Sequence, residues 1–189
     1  RERLDLPYLT IQAAITAASS GDTVYIFPGT YNENLVLKSG VNLHFYAGAI
    51  LDSNIASNVS ALWDNNVAVV CKITGKGQFK KTAGSGTSHL ALFDHADSSI
   101  YWEFDRIVNS HTAGSAIETD ADLVLIGEYI QGPDRAITIS KDNVGSTVRV
   151  DLNVRHTKGI NDYGILIQYA GALYATNSKI ESDWNSPAH

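Results

Sequence analysis

Methionine is absent from this sequence, and cysteine occurs once. A single cysteine, Cys71, excludes an internal disulfide. It sits in the apolar run Val67-Ala68-Val69-Val70-Cys71, which predicts a buried, inert thiol. Basic residues are scarce as well: 14 Lys and Arg against 20 Asp and Glu leave a formal charge of −6. Non-specific nucleic-acid binding needs a basic face that displaces phosphate counterions, so this balance argues against it. It argues equally against a polybasic membrane anchor. No apolar run approaches the roughly 20 residues that span a bilayer, so membrane insertion is not expected. The opening Arg1-Glu2-Arg3, followed by polar and mixed residues, is not expected to be a secretory leader. With no initiator methionine, the expectation is a processed product or a piece of something longer.

Helical periodicity is confined to the start. In Thr10-Ile11-Gln12-Ala13-Ala14-Ile15-Thr16-Ala17-Ala18 the apolar residues Ile11, Ala14, Ile15 and Ala18 share one helical face. Thr10 is the expected N-cap, and Gly21 the expected stop. Thereafter short β-rich runs alternate with Gly, Asn, Asp and Ser punctuation. They begin at Val41, Val67, Ser99, Asp122, Thr147 and Gly171, about two dozen residues apart. Second runs precede several of them, at Leu90–Phe93, Ala116–Thr119, Ala136–Ile139 and Ile165–Gln168. A repeat of two or three strands in two dozen residues is too short for a βαβ unit of roughly 30. Its turns lack the regular Asn-Gly or Asp-Gly of a hairpin series. Stacked coils fit, each turning one face of its strands inward and bonding its backbone to the coils above and below. Alternation agrees: Ile137 and Ile139 are expected inside with Thr138 and Ser140 outside, and Val148, Val150 and Leu152 inside with Arg149, Asp151 and Asn153 outside. The expected fold is all-β: a right-handed, single-stranded parallel β-helix with an N-terminal helical cap. Residues 1–22 form the N-terminal segment and cap, and residues 23–189 form six to seven coils of the same domain. The longest step predicts a loop over Lys76–Ser88. At the far end, Trp184 is the candidate plug over the last coil.

The N-terminal third carries a more specific pattern. Thr10-Ile11-Gln12-Ala13-Ala14-Ile15, Gly21-Asp22-Thr23-Val24-Tyr25-Ile26, Pro28-Gly29-Thr30-Tyr31, Asn34-Leu35-Val36-Leu37 and Gly40-Val41-Asn42-Leu43 resemble the opening of the pectin-lyase-like β-helix superfamily. The motifs cover about residues 8 to 52, and periodicity alone covers the rest. The resemblance implies the fold. For function it leaves open pectate lyases, polygalacturonases, phage tailspikes and non-catalytic adhesins, because sites rather than folds carry function.

The three clustered aspartates, Gly-His-Gly turn and Arg-x-Lys pair of polygalacturonase-like enzymes are missing. Glu118, Asp120 and Asp122 would share a face if one strand ran through all three, and adjacent carboxylates can serve acid/base chemistry or hold Ca²⁺. Aligning Ala136 with Gly164 stacks Asp134 on Asp162 and Arg135 on Tyr163, with Glu118 in register with Thr138. Asp134, Asp162, Arg135 and Glu118 are thus the catalytic candidates. Against them stands an ordinary turn, as Gly132-Pro133-Asp134 suggests. Asp94-His95-Ala96-Asp97, His111 and His156 match no standard metal spacing, so no metal site is expected. Asn58-Val59-Ser60 fits a glycosylation sequon. Tyr101 and Trp102 are adjacent, so one of the two faces outward, where a ring could stack on a sugar. Both are candidate ligand-binding residues.

The expected function is a non-catalytic structural or glycan-binding module of a virion or cell surface, of the tailspike, fibre or decoration type. Its expected partners are a polysaccharide or surface glycan, copies of itself (as a trimer in the manner of such modules) and other virion proteins. Its expected location is extracellular or on a virion. The alternative is a polysaccharide lyase or hydrolase. No cofactor is expected, and Ca²⁺ enters only under the lyase alternative.

Overall fold

The computed structural model describes residues 7–54, 60–84, 87–139, 148–161, 163–168 and 171–182. It opens with one short helix, α1 (Ile11–Ala17). Three runs of strands follow, β1 (Thr23–Ile26), β2 (Gly29–Tyr31) and β3 (Leu35–Val36), then β4 (Asn42–Phe45), β5 (Ala49–Ser53) and β6 (Leu62–Trp63), then β7 (Val70–Gly75), β8 (Gln78–Lys81) and β9 (Ala91–Phe93). The later strands are longer: β10 (Ser99–Asn109), β11 (Ser115–Thr119), β12 (Asp122–Gly132), β13 (Arg135–Ile139), β14 (Val148–Gly159), β15 (Ile165–Ile167), β16 (Gly171–Ala175) and β17 (Lys179–Ser182). Every pairing among them is parallel, and the chain is a β-solenoid.

The strands form three stacks. In the first, β1, β4, β7, β10, β12, β14 and β16 lie in order. The second runs β2, β5, β8 and then the C-terminal halves of β10, β12 and β14, ending on β17. The third runs β3, β6, β9, β11, β13 and β15. Strands β10, β12 and β14 bend once and so serve both of the first two stacks.

Alternation along each strand builds the interior. Leu43, Ile73, Trp102, Leu125 and Leu152 succeed one another in register up one wall. Beside them run Cys71, Ile100, Leu123, Val150 and Leu173. The second stack contributes Leu51, Phe79, Ile107 and Ile130, and the third Leu62, Ala91, Ile117, Ile137 and Ile165. These residues join one continuous apolar cluster. Trp102 sits at its centre, with ring centroids 4.9 Å from Phe79, 6.2 Å from Phe93 and 5.8 Å from Phe104. Cys71 is buried, and burial pushes its thiol up to about 12, as its apolar run predicted. One corner is polar instead: Ser53, Lys81 and Asn109 are in register and buried. Asn109 Nδ2 donates there to the carbonyls of Ser88 (2.7 Å) and Ser115 (2.8 Å).

The helix is too short to stand alone and is held by the first coil. Thr10 caps it as expected, its hydroxyl accepting the Ala13 N–H at 3.1 Å. A second cap comes from far along the chain: the Glu33 carboxylate accepts the N–H groups of Ile11 (2.8 Å) and Gln12 (3.0 Å). The Gln12 amide pairs with the backbone of Val36, taking its N–H at 2.8 Å and donating to its carbonyl at 3.4 Å. Because β3 ends its stack, this amide completes a strand edge that would otherwise be open. Lys38 Nζ closes the other end by donating to the carbonyls of Thr16 and Ala18.

Several expectations need correction. The helix stops at Ala17 rather than at Gly21. Gly21, at φ +95°, shapes the turn into β1, its N–H donating to the Gly40 carbonyl at 2.8 Å. The third coil's first strand begins at Val70, not Val67, because Asn65 and Asn66 hold a left-handed turn that delays it. The expected loop over Lys76–Ser88 contains β8, whose Phe79 is fully buried. Thr138, expected on the outer surface, is also buried. Ser140, Val59 and Asn58 of the sequon, and Trp184 lie outside the described residues.

Candidate functional site

The acidic candidates gather around a histidine. The register is as aligned from sequence: Glu118 pairs with Thr138, Ile137 with Ile165, and the N–H groups of Ala136 and Ile137 donate to the Gly164 carbonyl. Asp162, the partner proposed for Asp134, lies outside the described residues. Glu118 Oε2 lies 3.2 Å from His89 Nε2, and His89 Nδ1 accepts the Ser115 N–H at 3.2 Å. That bond assigns the tautomer: Nδ1 is unprotonated, and Nε2 carries the hydrogen toward Glu118. Burial holds His89 below the usual histidine range, against the opposing pull of Glu118, while Arg135 and Lys81 push the same way as burial. Both ring nitrogens of this imidazole are thus engaged by groups of the solenoid itself. Asp134 Oδ2 accepts the Gly114 N–H at 2.8 Å. These side chains tie neighbouring coils together.

The wider acidic set does not form. Glu118 lies within β11 in the third stack, and Asp122 opens β12 in the first. Between them the chain turns a corner, where the Thr119 hydroxyl accepts the Ala121 N–H. A strand running straight through the three carboxylates was the wrong assumption. Among the described residues, no three His, Cys, Asp or Glu side chains converge as metal ligands.

The first stack's outer face presents the more open site. A groove of about 480 Å³ follows its corner with the second stack. Gly75 and Gly127 are among the residues that line it. Gly127 is in register with Phe104, and a Cβ on it would strike that buried ring. Glu103 stands on one wall, its Oε2 accepting the Gly75 N–H at 3.2 Å and its Oε1 the Tyr101 hydroxyl at 2.7 Å. That hydroxyl bond raises the Tyr101 pKa above its ordinary value. Asn153 and Arg155 stand opposite, with Arg155 Nη1 3.2 Å from Glu128 Oε2, and Lys76 adds a second cation. A smaller hollow of about 150 Å³ adjoins it, lined by Asp151, Asn153, Tyr174 and Thr176. There the Arg149 guanidinium lies 4.9 Å over the exposed Tyr174 ring.

This face separates the two aromatic candidates. Tyr101 points outward beside the groove, whereas Trp102 is fully buried. The expectation that Trp102 contacts a ligand is corrected: its ring fills the core. Ile100 and Phe104 share its face, an alternation visible in the sequence. Glu103, Glu128, Asn153, Arg155 and His89 were not singled out, because nothing local marks which turns of a solenoid lie side by side.

Both carboxylates of the groove are engaged by neighbouring donors, and its amide and cationic side chains can offer further hydrogen bonds to a bound polar group. Comparison with protein-family models, with curated proteins and with solved structures finds no match. The chain's identity therefore stands on its own geometry, a parallel β-solenoid with a polar groove along its outer face.

Proposed function

We propose that the protein is a non-catalytic glycan-binding β-helix module of the pectin-lyase-like kind, displayed outside the cell or on a virion. The observation that carries this reading is the groove, where carboxylate, amide and guanidinium groups line a shallow channel beside Tyr101. Such planar polar groups suit hydroxyl pairs, and an aromatic ring offers the apolar face that a sugar stacks on. Binding of this kind needs no cofactor. The lyase or hydrolase alternative requires carboxylates free to act on substrate or to hold Ca²⁺. The engagement of Glu118 with His89 and of Asp134 with Gly114 supports binding instead.

A glycan array followed by calorimetry tests the proposal. Binding to one glycan class is expected, weakened about tenfold by Arg155→Ala or Asn153→Ala, the loss of one or two charge-assisted or amide hydrogen bonds. Incubation with acidic polysaccharides, with and without Ca²⁺, should release neither unsaturated nor new reducing ends; release of either would refute the non-catalytic reading. The same proposal has the module assembling with copies of itself, as a trimer. Light scattering on the full chain checks that, and a strictly monomeric particle counts against a virion role.

A further inference from the structure

Four rings, Tyr25, Phe27, His44 and Tyr46, stand on the outer face of the first two coils. Tyr25, Phe27 and Tyr46 are 46, 56 and 40 % exposed, unusual for large rings on one small patch. They are ordered by one another. Phe27 and Tyr46 stack at 5.2 Å with planes 22° apart, and Tyr25 and Tyr46 at 6.3 Å and 28°. His44 meets Tyr46 edge-on at 4.9 Å, and its Nδ1 lies 2.9 Å from the Thr74 hydroxyl. The patch is amphipathic rather than simply apolar, with partly exposed, mutually stacked rings bordered by phenol, imidazole and threonine hydroxyl groups.

It is also continuous with the groove. Tyr25 pairs with His44, and His44 with Thr74. Ile73 pairs with Trp102, which brings Glu103 beside Thr74, and Glu103 pairs with Ile126 and Ile126 with Asn153. One outward row therefore leads from the rings to the groove, and His44 and Glu103 are separated by two strand spacings, about 10 Å.

We infer that Tyr25, Phe27, His44 and Tyr46 form a stacking subsite for an oligosaccharide that lies along the solenoid axis and continues from the groove. The inference rests on the glycan-binding reading and names its ligand as an extended chain of sugars with an exposed apolar ring face. Soluble trisaccharides and hexasaccharides of β-1,4-glucose, β-1,4-N-acetylglucosamine, α-1,4-galacturonate and α-1,6-mannose serve as probes in calorimetry. For the series that binds, the hexasaccharide should bind more tightly than the trisaccharide. Phe27→Ala and Tyr46→Ala should each weaken the hexasaccharide about tenfold and leave the trisaccharide held in the groove unchanged. The exposed Val67→Ala serves as a control that changes neither. Arg155→Ala should weaken both lengths. Unaltered hexasaccharide affinity in Phe27→Ala and Tyr46→Ala, with Arg155→Ala still weakened, overturns the subsite and leaves the groove standing. Failure of every probe to bind wild type counts against the glycan reading itself and takes the subsite with it.

Discussion

Asp64 is a buried carboxylate that accepts four hydrogen bonds across a coil corner. Its Oδ1 takes the N–H groups of Asn66 (3.1 Å) and Asp94 (3.3 Å), and its Oδ2 takes the His95 N–H (3.1 Å) and the Ser98 hydroxyl (3.0 Å). Ser98 Oγ in turn accepts the Val69 N–H at 3.0 Å, which sets where β7 can begin. Asp94 follows on the next corner with one carboxyl oxygen buried and lacking a donor. Burial first, then the hydrogen bond and charge of Asp64, push its carboxyl from 3.8 up to about 6. Between those values the folded chain keeps a proton that the unfolded chain has released. The Asp94 contribution to stability is therefore full below the ordinary carboxylate range and is lost as pH rises through about 6. Thermal melts across pH 4 to 8 should show this loss, and Asp94→Asn, whose amide cannot ionise, should flatten it. An unchanged slope in the variant would assign the effect to other groups. None of this was visible in the sequence, where Asp94 and His95 stood out only as scattered polar residues.

Among the elements, the N-terminal cap is the clearest case of local pattern completed by distant groups. The spacing of Ile11, Ala14 and Ile15 was enough to place α1, and Thr10 enough to start it. Its position on the coil depends on Glu33, Gln12 and Lys38, which meet only after the chain has turned through β1, β2 and β3. Gln12→Ala should remove both bonds to Val36 and lower stability by about 1–2 kcal/mol. It should also expose the β3 edge, so aggregation on mild heating is expected to rise. Urea melts and light scattering at matched concentration check both; equal stability with equal scattering would mean that the apolar face of α1 alone protects the edge. The same contrast holds for the strands. Those beginning at Ser99 and Asp122 were legible because period-two alternation runs through their first halves, over Ile100, Trp102 and Phe104 and over Leu123 and Leu125. Strand β8 was not, because Phe79 is the one apolar residue of Gln78–Lys81 and Gly and Lys surround it.

At the scale of the whole molecule, Trp102 touches rings from all three stacks. Trp102→Ala should cost about 3–5 kcal/mol, the range for truncating a large buried aromatic whose cavity cannot collapse. Chemical denaturation followed by circular dichroism would show it, and a loss below about 1 kcal/mol would contradict a rigid column at this level. The groove depends on the same packing. Gly127 can carry no side chain because β10 and β12 align the Phe104 ring beside it, and Glu103 and Asn153 share a channel only because their coils are separated by β12 alone. By itself the sequence determined that short strands would repeat, that one face of each would be apolar, and that a capped helix would open the chain, since those features rest on neighbours a few residues apart. Which residue of one coil lies on which residue of the next depends on turn lengths and on corner glycines, and so on contacts between residues far apart in the chain. Only the tertiary structure could therefore bring Tyr101 to the groove, bury Lys81, and fasten Glu118 to His89.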